Sequence, residues 1–89
     1  MKNLSIDPEY EKCIKRLKKK HYNIELLKEP IRLLVGNIPL PQKYHDHALS
    51  GNLKGNRELH IEPNWLLMYK STDTEIILIR TGSHDDLYK

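Results

Sequence analysis

The chain has 89 residues, of which 30% are charged and 38% hydrophobic, and its formal net charge is +3. This length predicts one small domain over residues 1–89, with a globular rather than a disordered composition. No apolar run approaches the roughly 20 residues of a membrane-spanning helix, and the N-terminal residues lack the apolar core of a signal peptide, so a cytoplasmic protein without membrane contact is expected. The single cysteine, Cys13, excludes an internal disulfide and a cysteine-based zinc framework.

The N-terminal quarter of the chain predicts a strand followed by a helix. Leu4 and Ile6 alternate with polar neighbours, so residues 2–6 could form a short edge strand. Asp7 can accept a capping hydrogen bond and Pro8 suits the first helical position, so a helix begins here. Apolar residues at helical spacing continue it to about residue 20 or 21.

Six basic residues lie on this first helix in one short stretch: Lys12, Lys15, Arg16, Lys18, Lys19 and Lys20. A patch of this kind attracts nucleic acid or the acidic surface of a partner protein. A helix face that is only solvated has the same composition, so the patch alone identifies no target.

A second helix is predicted over residues 23–36. Pro30 lies inside it and removes a backbone hydrogen bond, which predicts a kink or a break near Glu29. Two short helical pieces are the alternative. The apolar face is marked by Ile24, Leu27, Ile31 and Leu34.

The remaining chain predicts a long loop and then three strands. Residues 36–55 are rich in turn formers, and a loop of this length in a compact domain is usually functional. Short turns separate strands at about 58–62, 65–70 and 75–81, which predicts an antiparallel meander. The order of elements gives an α+β fold in which two N-terminal helices pack on one face of a small antiparallel sheet.

Strand alternation predicts which side chains share the other face of this sheet. If Leu59 and Ile61 face the core, Glu58 and His60 face away from it together. On the third strand, we expect Ile77 and Ile79 to pack against the helices, which places Arg80 beside this pair.

Two further histidines can reach the same face. His84 follows the third strand, and the long loop can bring His47 over the sheet. Imidazoles, a carboxylate and a guanidinium suit metal-independent RNA cleavage, in which a base activates the ribose 2′-hydroxyl and an acid protonates the leaving 5′-oxygen. The guanidinium would stabilise the phosphate charge in the transition state. DNA lacks the 2′-hydroxyl, so this chemistry predicts RNA specificity.

Simpler interpretations remain open for each residue. The histidines could be ordinary surface residues, and three of them could hold zinc, although no HxxxH or CxxC spacing pre-forms such a site. Glu58 could be only a salt-bridge partner of Arg57. Trp65 is expected to anchor the core rather than to stack on bases, whereas Tyr88 could stack on a base.

Three motifs together resemble the YafQ-type toxins of the RelE/ParE superfamily. They are DHxLxG, GxRExHIxPxWLLxY and RTGSHxxL(F/Y), found in order within YHDHALSGNLKGNRELHIEPNWLLMYK and RTGSHDDLY. The likeness spans nearly the whole chain. It implies a toxin of a bacterial type II toxin–antitoxin pair, with a small twisted antiparallel sheet packed on two helices, that cuts mRNA on the ribosome without a metal or cofactor.

The resemblance also implies partners. A cognate antitoxin would neutralise the toxin, and the pair would contact operator DNA only through the antitoxin complex. mRNA and the ribosome would be the other partners, and Lys18 and Lys19 of the first helix would bind ribosomal RNA in a salt-sensitive way.

Five catalytic positions carry over from the family motifs. His47 is the histidine of the DHxLxG motif, and Glu58 stands at a position that is Asp or Glu. His60 is the strand histidine, and Arg80 is the phosphate-contacting arginine. His84 is the proposed general acid; His60 or His47 would be the general base and Glu58 an orienting or relay partner.

Two substrate-binding positions differ from many relatives. Tyr88 stands where many members have Phe, near the cut nucleotide. Asn64 stands where some members have Asp, and an amide cannot act as a base, so this residue either orients a neighbour or leaves the base role elsewhere. His45 lies outside the family pattern and is expected to be an ordinary loop residue.

Two other functions are considered. ParE-type proteins share the fold and inhibit DNA gyrase without cutting RNA, but they usually lack the histidine cluster. A binding module for RNA or protein that has lost its activity is the third possibility, which the departure at Asn64 keeps open.

Overall fold

The computed structural model describes residues 1–88, so Lys89, the last residue of the predicted domain, lies outside the described residues. Within these residues, three α-helices and five strands follow one another in this order: β1 Asn3–Ile6, α1 Pro8–Lys19, α2 Lys28–Val35, β2 His47–Ala48, β3 Arg57–Glu62, β4 Trp65–Ser71, β5 Glu75–Gly82 and α3 His84–Tyr88. Within residues 1–88, no helix combines the length and apolar character needed to cross a lipid bilayer.

The strands form one mixed sheet in the order β1-β5-β4-β3-β2. The α+β class and the antiparallel meander β3–β4–β5 are as predicted, and β1 is the predicted edge strand. The expectation of a purely antiparallel sheet was wrong, because β1 runs parallel to β5. No hairpin joins these two strands; the intervening helices let the chain return in the same direction.

The first helix begins and ends where the sequence indicates. The Asp7 side chain accepts a 2.9 Å hydrogen bond from the Glu9 backbone N–H, and Pro8 occupies the first turn. One face of α1 is buried by Tyr10, Cys13 and Leu17.

The second predicted helix is divided, so a single helix over residues 23–36 was wrong and the alternative of two pieces is what forms. A 3₁₀ turn at Ile24–Leu27 precedes α2. Pro30 then lies in the first turn of α2, where its missing N–H would have had no partner within the helix. The proline therefore fixes where α2 begins rather than bending a longer helix.

The core lies between the helices and one face of the sheet. Trp65 is 1% exposed, its ring packs edge-to-face on Tyr22 with centroids 5.0 Å apart, and its Nε1–H donates to Thr81 Oγ1 at 2.9 Å. Trp65 is thus a core anchor, as predicted. The other core side chains of helices and sheet include Leu17, Leu27, Leu33, Leu59, Leu67, Tyr69, Ile76 and Leu78.

The core-facing side of β5 differs from the prediction. Ile76 and Leu78, each 1% exposed, pack against the helices, whereas Ile77 and Ile79 are only half-buried. Because β5 is an inner strand with apolar residues on both faces, alternation alone does not identify its core side.

A β-bulge in β5 then reverses this alternation. Met68 of β4 pairs with Arg80, but the next residue, Tyr69, pairs with Leu78, so Ile79 is an extra residue without a partner across the ladder. As a consequence, Arg80 returns to the face away from the helices. It reaches the predicted face although the assumed orientation of the preceding isoleucines was wrong.

Candidate active site

The sheet side that faces away from α1 and α2, called the open face below, carries one continuous row of partners. His47 of β2 pairs with Glu58 of β3, which pairs with Met68 of β4, which pairs with Arg80 of β5. Directly paired residues project to the same side of a sheet. His60, two residues after Glu58, lies on the same side in the next row. The sheet therefore brings together four of the predicted catalytic residues.

Glu58 is the centre of this row. Its residue surface is only 5% exposed. Its Oε1 lies 3.4 Å from His47 Nε2, and its Oε2 accepts a hydrogen bond from the Tyr88 hydroxyl. Burial, and then the hydrogen bond to Glu58, raise the pKa of Tyr88 above its ordinary range, so the phenol stays protonated and donates. A buried carboxylate thus has a polar partner on each oxygen, as such groups require.

Arg57 does not pair with Glu58, so that simpler interpretation was wrong. Its Nη2 and Nε instead donate to Asp46 Oδ2 at 2.7 and 3.2 Å. Asp46 Oδ1 accepts from the Tyr69 hydroxyl, which belongs to a core residue that is 1% exposed. The hydrogen bond with Asp46 raises the pKa of Arg57. We call these three residues the Asp46 network; it ties the loop before β2 to the sheet.

The Asp46 network holds two histidines against His60. His45, on one side of Asp46, has a left-handed backbone with φ 47°, and its ring centroid lies 5.7 Å from that of His60. His47, on the other side, has its ring centroid 6.2 Å from His60. His45 was expected to be an ordinary loop residue, and only its position two residues before His47 could have signalled this contact.

The hydrogen bonds of His47 and His60 differ. His47 faces an acceptor from each ring nitrogen, with Nδ1 2.8 Å from the His45 carbonyl oxygen and Nε2 near Glu58. Both contacts are satisfied as hydrogen bonds when both nitrogens carry a proton. His60 has one such contact, from Nδ1 to the Pro63 carbonyl oxygen at 3.3 Å. A proton on Nδ1 leaves Nε2 of His60 with its lone pair.

The C-terminal helix places His84 at the edge of the open face. The His84 ring lies 4.8 Å from the ring of Tyr88, and its backbone N–H donates to Asn64 Oδ1 at 3.2 Å. This bond links Asn64 to the backbone at the start of α3, and the orienting role expected for Asn64 stays a prediction. Arg80 Nη1 lies 3.5 Å from the carbonyl oxygen of Leu87, so α3 also contacts the guanidinium.

The sequence TGSHDD explains how so short a helix is fixed. Asp86 Oδ2 accepts from the Ser83 N–H at 3.0 Å, and Ser83 Oγ accepts from the Asp86 N–H at 3.1 Å, which is a reciprocal capping box. The bond from the Ser83 backbone holds the pKa of Asp86 below its ordinary value. Gly82 has φ 154°, and a Cβ there would lie 2.9 Å from Asp86 Oδ2.

Lys18 and Lys19 are not among the open-face side chains. They are exposed on α1, in the helical layer. The next residue, Lys20, brings this basic segment towards the site, because its Nζ lies 3.9 Å from Asp86 Oδ1 on α3.

Three side chains have a geometry that could hold a metal ion. His47, Glu58 and His60 each offer one ligand atom, and these atoms lie within 4.8 Å of one another. Two imidazoles and a carboxylate suit zinc or copper. The zinc alternative considered from the sequence used three histidines, whereas this set replaces one of them with Glu58.

A groove of about 650 Å³ opens beside the histidines. Its lining includes His45 and His60 together with Tyr44, Ile61 and Pro63. An imidazole edge next to apolar and aromatic walls is suitable for a flat nucleobase.

Comparison with known proteins identifies a family for this chain. The family model for YafQ, described as a bacterial toxin of type II toxin–antitoxin systems, matches residues 2–89. The mRNA interferase toxin YafQ of Escherichia coli strain K12 is 40% identical over 88 residues, which are 98% of this chain and 96% of the relative.

Solved structures have the same fold. The Escherichia coli DinJ–YafQ complex contains a chain with a TM-score of 0.93 and 37% identity, with 100% of both chains covered. A metal-bound toxin from Helicobacter pylori has a TM-score of 0.91 and 34% identity, covering 99% of this chain and 100% of that one. The chain belongs to the YafQ family of bacterial type II toxins.

Proposed function

We propose that this protein stops translation by cutting mRNA as a ribosome-dependent endoribonuclease. The observation that carries the proposal is the convergence of His47, Glu58, His60 and Arg80 on one sheet face, with His84 fixed beside them by α3. The relatives named mRNA interferase toxins, which match nearly the full chain, support the same activity.

His60 acts as the general base. Its Nδ1 contact with the Pro63 carbonyl favours the tautomer whose Nε2 is free of a proton, so Nε2 can take the proton of the ribose 2′-hydroxyl. His47, with acceptors at both nitrogens, suits a cationic imidazole that supports Glu58 and the phosphate charge. The sequence left the base open between these two histidines, and the hydrogen bonds favour His60.

Arg80 and His84 complete the reaction. The 2′-oxygen attacks the adjacent phosphorus, and the charge that develops on the phosphate is stabilised by the Arg80 guanidinium. His84 donates a proton to the leaving 5′-oxygen, which yields a cyclic phosphate and a free 5′-hydroxyl. The route uses no metal. A metal ion held by His47, Glu58 and His60 would take the Nε2 lone pair that His60 needs as a base and would oppose this route.

Several partners follow from this function. Escherichia coli YafQ is found in a complex with DinJ, and we expect a cognate antitoxin to bind this chain and to carry the pair to operator DNA. Lys18, Lys19 and Lys20 form a basic segment that reaches the edge of α3, which suits contact with ribosomal RNA during cleavage. The exposed part of the Tyr88 ring would stack on a base near the cut nucleotide.

The test is translation with mapped mRNA ends. Purified wild type is added to a bacterial cell-free translation reaction beside His84→Ala, His60→Ala and His21→Asn, and cuts are located by primer extension. His21 is an exposed histidine with a left-handed backbone outside the site, which asparagine tolerates, so His21→Asn is a matched control.

We expect in-frame cuts with wild type and His21→Asn, a loss of at least about 100-fold for the two site variants, and no cuts in the same mRNA without ribosomes. Intact mRNA with normal translation would overturn the proposal. A parallel supercoiling assay with DNA gyrase examines the ParE-type alternative directly, because inhibition there without RNA cleavage would favour it.

A further inference from the structure

The hydroxyl of Tyr88 connects the C-terminal helix to the centre of the open face. It donates to Glu58 Oε2, while Glu58 Oε1 lies 3.4 Å from His47 Nε2. The ring of the same tyrosine lies 4.8 Å from the His84 ring. One side chain therefore contacts both the buried carboxylate and the proposed general acid.

This contact spans three strands. α3 follows β5, Glu58 lies on β3, and β4 runs between them. Tyr88 must reach across β4, whose Met68 pairs with Glu58 and is 2% exposed. The other polar contacts of α3 are with Arg80 of β5, with Asn64 at the start of the helix and with Lys20 at Asp86. The hydroxyl is thus the polar contact that fixes the far end of α3 relative to β3.

Glu58 needs this donor for its orientation. The carboxylate is buried, so an oxygen without a partner would be costly, and the side chain would turn towards whatever donor remained. With Tyr88 on Oε2, the other oxygen is left for His47. His60 lies in the row next to Glu58 on the same strand, and Arg80 lies in the same row as Glu58 but beyond Met68 of β4. Lys70, two residues after Met68, is a further charged group on this face.

We propose that the Tyr88 hydroxyl is a positioning group for RNA cleavage: it holds Glu58 against His47 and keeps α3, with His84, in register with the sheet. This inference rests on the proposed function and is separate from stacking, which needs only the ring. A phenylalanine at this place keeps the ring and loses the positioning.

The test compares Tyr88→Phe, Tyr88→Leu, Glu58→Gln and the double variant Tyr88→Phe/Glu58→Gln in steady-state cleavage of ribosome-bound mRNA. We expect Tyr88→Phe to lower kcat about tenfold while KM changes less than about twofold, because a hydrogen bond to a carboxylate is lost and the ring is kept. Tyr88→Leu should also raise KM. In the Glu58→Gln background, Tyr88→Phe should cost clearly less, since the amide oxygen accepts a weaker hydrogen bond than the carboxylate and cannot support a cationic His47.

Two outcomes would overturn the inference: wild-type kcat and KM for Tyr88→Phe, or equal fold losses for Tyr88→Phe with and without Glu58→Gln. A second readout does not need activity. The imidazole NMR signals of His47 should move in Tyr88→Phe and stay in place in Tyr22→Phe, a core control beside Trp65. If wild type cuts no RNA, the proposed function fails, and the His47 signals still decide whether Tyr88 positions the Glu58–His47 pair.

Discussion

Removal of the Asp46 carboxylate should destabilise the fold far more than an ordinary surface substitution. In Asp46→Ala, Tyr69 keeps a hydroxyl that has lost its acceptor, and this residue is only 1% exposed. Arg57 also loses its partner, but its side chain is 38% exposed and can be solvated. Most of the cost should therefore come from the buried Tyr69 hydroxyl, and little of it from the partly exposed Arg57 guanidinium.

The magnitude follows from these two contributions. An unsatisfied buried hydroxyl costs about 1–3 kcal/mol, and a partly exposed ion pair contributes about 0–1 kcal/mol. We expect Asp46→Ala to lower the free energy of unfolding by about 2–3 kcal/mol, which in a domain of this size lowers Tm by roughly 10–20 °C. Tyr69→Phe removes the donor itself and should cost only about 1 kcal/mol.

Urea unfolding of the purified variants measures these differences. The double variant Asp46→Ala/Tyr69→Phe should be less destabilised than the sum of the single changes, because it contains no orphaned hydroxyl. Asp73→Ala, in an exposed turn, is the control and should stay within about 0.5 kcal/mol of wild type. Strict additivity, or a cost for Asp46→Ala no larger than that of the control, would refute the argument.

Two further predictions concern the attachment of α3. Gly82→Ala places a Cβ 2.9 Å from Asp86 Oδ2 at a backbone angle that L-residues avoid. It should lower the free energy of unfolding by about 1–3 kcal/mol and reduce cleavage through displacement of His84. Thermal unfolding measures the first effect and primer extension the second, and wild-type results in both would contradict the close contact. Because the folded-state pKa of Asp86 is lowered, its stabilisation is present above the ordinary carboxyl pKa and is lost as pH falls through the lower, folded value. Asp86→Asn should therefore be less stable than wild type by about 1 kcal/mol near neutral pH, and this difference in stability should shrink in acid. Thermal unfolding of both proteins across pH measures it, and a difference in Tm that stays constant with pH would count against the charged capping box.

Local signals in the sequence were sufficient for part of the fold. Asp7 and Pro8 begin α1 because capping and the first turn involve only neighbouring residues. Alternation placed Glu58 and His60 on one face because β3 has one core side and one open side. Both properties depend on spacing along the chain, which a single sequence contains.

Contacts between distant segments could not be predicted in this way. Tyr69 meets Asp46 over a separation of 23 residues, and Tyr88 meets Glu58 over 30. Neither pair has a periodic pattern. The proximity of His45 to His60 is likewise a contact between a loop and a strand and was not anticipated either.

The extra residue Ile79 reverses which alternate side chains of β5 face the helical layer. Before it, Ile76 and Leu78 face the helical layer; after it, Thr81 does so and Arg80 lies on the open face. Substitution of the core residues Ile76 and Leu78 therefore leaves the side on which Arg80 lies unchanged, because the bulge sets that side. Loss of this one residue by a single-codon deletion would place Arg80 directly after Leu78, opposite Met68 in a regular ladder, so Arg80 and Thr81 would keep their sides of the sheet. Pairing of Ile79 with Met68 without a bulge would instead turn Arg80 towards the apolar interior, where an unpaired guanidinium is costly. While Ile79 is present, the orientation of Arg80 therefore depends on the bulge.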